Sequence, residues 1–456
     1  MSWVGATAAS IARAVRRGDA SATEVVDQHL RHIGAADGDV GGFRVVRAVS
    51  ALAEAEIVDD LPDLSGLALA GVPIAVKENL AVAGERACLG SAATLRDPAD
   101  KDHETVRRLR GAGAVVVGLS RMPELGLFAT TDDEDVVTRN PWQLDRTPGG
   151  SSGGSAAVVA SGMAPMALAN DGLGSIRIPA ACCGLVGLKP GRGVIPADLS
   201  EHDWFGLVEN GVLATTVEDS AIGFAVLAGR APRRLPEPGR LRLAVSMRSP
   251  LLGVSADADT KQAVARAVQA LVAAGHSAHR TEIRYPQSLG LSTAATWFAC
   301  ADMDAAAFEL AELQPRTRRH AMIGHRLRRW SREVDRQRWR DRILTWFEAG
   351  SHDLLVMPVL AASPLRAAAW SRKSWLANTI SSMRFAPFAA PWNVAGLPAI
   401  SVPSGVRRDG LPGAVQLVGP PGSEELLLAT AAQIEAAAPW RQQAPGWPRL
   451  GKAASL

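Results

Sequence analysis

Between residue 69 and about residue 230, strand and helix signals take turns along the chain, a pattern that fits a β-sheet covered by helices. "LAGVPIAVKENL" (69–80) is a compact β-branched run and predicts a buried strand. "ETVRRLRGAGAVVVGLSRM" (104–122) predicts a helix ending at Gly111 or Gly113, then a strand over Ala114–Val117. Two amphipathic helices precede this region. Ala8, Ile11, Ala12 and Val15 share one face, and a Ser21-x-x-Glu24 capping box stands ahead of Val25, Val26, Leu30 and Ile33. "GRAPRRLPEPGR" (229–240) is a connector. A strand ("LRLAVSM"), a helix over Asp259–Ala274 stopped by Gly275, and a helical, arginine-rich stretch over 300–349 follow it. "HDLLVMPVL", "GLPAISVPSG" and "GAVQLVG" then predict three strands.

Length and composition exclude several classes. A chain of 456 residues with 47% hydrophobic side chains supports an extended core. Basic and acidic residues nearly cancel, 49 against 46, which argues against a nucleic-acid binder. The basic stretch Arg316–Arg342 is interrupted by Glu333, Asp335 and Asp341, and Leu327, Trp330 and Val334 keep a helical period. It reads as a solvated helix face. Cys88, Cys182, Cys183 and Cys300 are too few for a disulfide framework, carry no zinc spacing and read as small core residues; no metal or cofactor is expected. No segment has 18 unbroken apolar residues, and the chain reads as cytoplasmic and soluble, without a membrane span.

Chemistry concentrates in two glycine-serine stretches. "TPGGSSGGSAA" (147–157) runs straight into a short helix. "NDGLGSIRIPA" (170–180) follows an apolar lead at Pro165–Ala169. Glycines let such a backbone turn tightly and aim amides and hydroxyls into one space. A serine at the end of a strand, with small residues before it, suits an oxyanion hole. Neither stretch is a P-loop, which needs a lysine in place, and "GAGAVVVG" fails the dinucleotide spacing. Gly149-x-Ser151-x-Gly153 matches a nucleophile elbow but lacks the apolar strand that feeds one. A serine nucleophile needs a base. None of the nine histidines lies between His103 and His202, and Lys77, after four apolar strand residues, is the other candidate.

The stretch "GGSSGGSAAVVASGM…NDGLGSIRIPAACCGLVGLKPGRG" resembles the signature of the amidase signature family, serine hydrolases that include fatty acid amide hydrolase. "GVPIAVKENLAVAG", "NPW…RTPGGSSGG", "WNVAGLPAISVP" and "LPGAVQLVG" extend the resemblance over nearly the whole chain, most weakly from 230 to 350. It implies a single large α/β/α domain over 1–456 with a central mixed sheet flanked by helices. Residues 1–230 would form the signature core, 231–350 a variable helix-rich region on the substrate side, and 351–456 a return to the sheet. It also implies a triad of Lys77, Ser151 in an unusual cis peptide, and Ser175 as nucleophile. The amides of Gly172, Leu173, Gly174 and Ser175 would form the oxyanion hole, with Ser152, Asp171 and Arg177 in support.

The implied partner is a small-molecule amide, ester or carbamate, acted on by a monomer or homodimer. A bulky apolar or aryl amide is the first expectation and a urethane an alternative. An amidotransferase A-type subunit is disfavoured because Ile178 stands where such subunits commonly carry glutamine. A catalytically impaired binding protein is the remaining alternative. Asn170 replaces the usual threonine and Leu173 the usual glycine, so Leu173 would be strained if its φ were positive. Leu-Ser-Arg at 119–121 departs from Lys-Thr-Asn. Twelve tryptophans against one tyrosine, with Trp297, Trp330, Trp339 and Trp346 in or near the variable region, read mostly as ordinary core or surface aromatics, with an apolar funnel for bulky or aryl amides as the alternative.

Overall fold

The apolar runs Pro73–Lys77, Val115–Ser120 and Met166–Asp171 lie side by side as parallel strands, each buried along its whole length. Burial on both faces is what a β-branched run without alternation requires. The computed structural model describes residues 2–93, 97–198 and 203–448. Residue 1 and residues 449–456 of the expected 1–456 span lie outside them.

Eleven strands are described: β1 (Phe43–Val46), β2 (Pro73–Lys77), β3 (Val115–Ser120), β4 (Met166–Asp171), β5 (Val186–Lys189), β6 (Glu209–Ala214), β7 (Arg242–Val245), β8 (Ser277–Arg280), β9 (Leu354–Met357), β10 (Ala399–Val406) and β11 (Pro412–Val418). They form one sheet in the order β1-β3-β2-β4-β6-β5-β10-β11-β9-β7-β8. The sheet is mixed, because β4–β6–β5–β10–β11–β9 pair antiparallel while β3–β2–β4 and β9–β7–β8 pair parallel. The last strands of the chain return to the middle of the sheet, and 231–350 contributes its far edge. The architecture is therefore the α/β/α one expected, with helices on a central mixed sheet.

The helices follow local chemistry. Ser21 caps Ala22–Val40 by accepting from the Glu24 amide at 3.0 Å. The expected apolar residues of the first two helices are buried, apart from the partly buried Leu30. Residues 300–349 differ from expectation. Helices run Gln287–Ala305, Pro315–Leu327 and Glu333–Ala349, and the chain turns between the last two. Trp330 (51% exposed) and Val334 therefore share no buried stripe. The solvated-face reading also fails at two arginines. Arg316 is buried against Asp132 at 3.2 Å and lies over the Phe128 ring, and Arg336 is buried beside Glu333.

Candidate active site

β2 and β4 are parallel neighbours with Val76 opposite Leu168, so Lys77 and Asn170 stand close together at the C-terminal ends of these two strands. Ligands of open α/β sheets gather at such strand ends. Lys77 is fully buried. Its Nζ lies 2.7 Å from Ser151 Oγ and 2.7 Å from Asn170 Oδ1. Burial pushes its pKa from 10.5 down to about 7, against the pull of the Asp171 and Glu78 carboxylates.

Ser151 follows a cis Gly150–Ser151 peptide, the conformation the resemblance implied. The glycines around it answer to packing as well as to turning. A Cβ on Gly150 would stand 2.5 Å from the Phe128 carbonyl, and one on Gly154 would stand 2.5 Å from the Arg121 backbone. Helix Gly153–Ala160 then starts directly behind the loop. No strand feeds it, so the nucleophile-elbow reading of Ser151 has no structural counterpart. Ser152 is buried. Its Oγ donates to the Asn170 carbonyl at 3.2 Å, and its amide donates to the Ser175 carbonyl at 3.3 Å, tying the two serine loops together.

Ser175 sits between β4 and helix Arg177–Cys183 and is partly exposed. The turn before it is held by Asp171, whose carboxylate accepts from the amides of Gly174 (2.6 Å) and Ile176 (3.2 Å). Because Gly174 donates to Asp171, the oxyanion candidates narrow to the amides of Gly172, Leu173 and Ser175. Arg177 Nε pairs with Asp171 at 2.9 Å, and the guanidinium also donates to the Ala389 carbonyl, Gln416 and Asn393. Burial opposes ionisation of Asp171, but the charge and hydrogen bonds of Arg177 outweigh it and hold the carboxyl well below its ordinary range. Both side chains are fully buried. Arg177→Met would leave that carboxylate unpaired in the core, and we expect a loss of about 3–5 kcal/mol in urea unfolding.

The feared strain at Leu173 is absent. Leu173 is not among the residues of positive φ, and Gly174 takes the turn at φ 126°. A Cβ on Gly174 would stand 2.6 Å from that of Ala389, a second reason for glycine.

Two cavities meet at Ser175. A small one is lined by Lys77, Asn79, Ser151, Asn170, Gly172 and Ser175. A larger apolar cleft encloses about 1000 Å³, its mouth included, and is walled by Leu127, Phe128, Leu173, Trp204, Trp297 and Pro387. Of the tryptophans singled out in the sequence only Trp297 lines the cleft, its Nε1 donating to the Leu127 carbonyl at 3.0 Å. Trp339 is buried in the core and Trp330 is exposed. Trp204 was missed. It borders both cavities and hydrogen-bonds Asp304 at 2.7 Å, and no local pattern marks it. Asn79 was missed as well. No described histidine lines either cavity, and no group of three or more His, Cys, Asp or Glu among the described residues forms a metal site. No described helix is long and apolar enough to cross a membrane.

The family model described as Amidase matches residues 24–428. The AmiB2 protein of Mycobacterium tuberculosis (strain ATCC 25618 / H37Rv) is 38% identical over 460 residues, covering 96% of this chain and 98% of its own. The 6-aminohexanoate-cyclic-dimer hydrolase of Pseudomonas sp. (strain NK87) is 33% identical over 495 residues, covering 97% and 96%. A solved structure of 6-aminohexanoate cyclic dimer hydrolase with substrate matches at TM-score 0.87 and 29% identity, covering 97% of this chain and 99% of that one. With a family model spanning most of its length and full-length relatives above 30% identity, the chain belongs to the amidase signature family of amide-cleaving hydrolases.

Proposed function

We propose that the protein hydrolyses apolar amides through an acyl-enzyme on Ser175, with Lys77 as general base and Ser151 as the proton relay. The observation that carries this reading is that Ser175 borders both cavities, the apolar cleft and the small one holding the Lys77–Ser151 pair. An amide nitrogen is a poor leaving group and needs a proton as the C–N bond breaks. A free lysine at pH 7 is uncharged in only about one molecule in 2,500. The buried Lys77, with a pKa near 7, is uncharged in a large fraction.

In the cycle, neutral Lys77 Nζ takes the Ser151 proton as Ser151 takes that of Ser175. Ser175 Oγ attacks the carbonyl carbon, and the amides of Gly172, Leu173 and Ser175 face the developing oxyanion. Ser151 then returns a proton to the departing amine, and Lys77 is neutral again. Water, deprotonated over the same relay, releases the acid.

The cleft wall of leucine, phenylalanine and tryptophan side chains supports an apolar substrate. The cyclic-dimer hydrolase relatives make cyclic amides worth including among the candidates. The test is a panel of anilides, alkyl amides, esters, aryl carbamates and the 6-aminohexanoate cyclic dimer, assayed with wild type and Ser175→Ala. Turnover of at least one apolar amide, lost in Ser175→Ala, is expected. Turnover confined to small hydrophilic amides would overturn the substrate class. Leu173 narrows the cleft beside the nucleophile, so Leu173→Gly is expected to raise kcat/KM for a bulky amide relative to a small one by about tenfold or more. An unchanged ratio would show that Leu173 does not set the pocket.

A further inference from the structure

Asn170 stands where the resemblance leads one to expect threonine, and its carboxamide makes two directed contacts. Oδ1 accepts from Lys77 Nζ at 2.7 Å, and Nδ2 donates to Asn79 Oδ1 at 2.9 Å. Its backbone carbonyl also takes the Ser152 hydroxyl, which fixes it to the cis-serine loop. These contacts determine which way round the amide lies. Reversed, with Asn79 as it stands, its oxygen would face the Asn79 oxygen, a mismatched pair, and its NH2 would compete with Ser151 for the lone pair of the Lys77 amine.

We propose that Asn170, clamped by Asn79, is a positioning residue that turns the lone pair of the neutral Lys77 amine toward Ser151. The inference rests on the general-base reading of Lys77 given above. A neutral amine has two N–H groups and one lone pair. An amide oxygen can only accept, so the contact with Asn170 consumes an N–H. Of the two atoms hydrogen-bonded to Nζ among the described residues, Ser151 Oγ and Asn170 Oδ1, the hydroxyl is the one that can offer a proton. Threonine can both accept and donate, so it would hold the amine without imposing this direction.

The same contact bears on the charge of Lys77, because an acceptor at 2.7 Å favours the ammonium. The charged groups around Lys77 are Asp171 at the end of β4 with Arg177 behind it, and Glu78 on the same strand end with Arg44 and Arg121 behind it. Asp304 borders the cavity from helix Gln287–Ala305. Any change at 170 is read against this fixed set.

The test compares Asn170→Leu, Asn170→Asp, Asn170→Thr and Asn79→Ala on one amide substrate, with pH profiles of kcat/KM. Removing the acceptor in Asn170→Leu is expected to lower kcat by about 10²-fold with KM little changed. Placing a carboxylate there in Asn170→Asp is expected to move the acid limb up by about 1–3 pH units, with activity recovered at high pH. A merely structural lesion would not return activity in this way. Asn170→Thr, which restores an acceptor that can also donate, is expected to recover only part of the kcat lost in Asn170→Leu. Asn79 is only partly buried, so Asn79→Ala should fold even if a variant at 170 does not, and it is expected to lower kcat about tenfold by letting the amide rotate.

Wild-type kcat in Asn79→Ala, or an unmoved acid limb in folded Asn170→Asp, would overturn the proposal. Lys77→Met run in parallel separates the two layers. Activity retained there overturns the general-base assignment itself. Activity lost there, with the variants at 79 and 170 unaffected, overturns only the role given to Asn170.

Discussion

Ser175→Ala is expected to lower kcat for amide hydrolysis by about 10⁶-fold, the scale seen when a serine hydrolase loses its nucleophile. The variant should also stop reacting with a fluorophosphonate probe that labels the wild type. The size follows from what remains. Without Oγ no acyl-enzyme forms, and the amides of 172, 173 and 175 can polarise a carbonyl only for direct attack by water. Ser175 is partly exposed in the cleft, and its backbone carbonyl keeps its bond from Ser152, so the thermal midpoint should move little. Undiminished labelling, or a loss of less than about 10²-fold in a folded variant, would remove Ser175 from the nucleophile's place. Retained activity against an activated ester alone would not rescue it, since such an ester needs no protonated leaving group.

The parts of this site legible in the sequence were those whose chemistry lies within one short stretch. The strand-like lead Pro165–Ala169, the glycine turn and Ser175 are consecutive, so local signals and motif spacing found them together, whereas helix Arg177–Cys183 behind them was not read. Lys77 was visible as a charge at the end of a run that only a buried strand explains. What stayed hidden depends on register and on distant pairing. Asn79 meets Asn170 because β2 and β4 are parallel neighbours, a fact that no local pattern carries. Arg316 reads as one more solvated arginine until Asp132, 184 positions away, neutralises it beneath Phe128 in the cleft wall. Leu173 seemed at risk of strain only because the turn could not be assigned to a residue, and Gly174 absorbs it. Trp204 belongs to the same class, since its place between the cavities follows from tertiary packing.

Lys77→Met is expected to abolish the reaction while making the protein more stable at neutral pH. Loss of the general base should cost about 10²–10⁴-fold in kcat/KM. In the wild type the acid limb of kcat/KM should fall near pH 7, about tenfold per pH unit below it, because only the neutral amine accepts a proton. The stability effect has the opposite sign and the same origin. Folding lowers the pKa of Lys77 from 10.5 to about 7, so the unfolded chain holds a proton that the folded chain releases between those values. Above pH 10.5 this costs nothing. As pH falls the cost grows, and below about 7 it is complete at about 5 kcal/mol, taking 1.36 kcal/mol for each pH unit. Methionine escapes that cost but gives up the bonds to Ser151 and Asn170 and leaves the Asn170 oxygen in want of a donor, a loss of about 2–3 kcal/mol. The net gain in urea unfolding at pH 7 is therefore about 2 kcal/mol, from the difference between these two figures. It should shrink as pH rises, cross zero at about pH 8.5–9 and become a deficit of about 2–3 kcal/mol above pH 10.5. A variant equally destabilised at pH 7 and pH 10 would mean that Lys77 is not forced toward neutrality by burial. The base would then have to be sought elsewhere in the cavity.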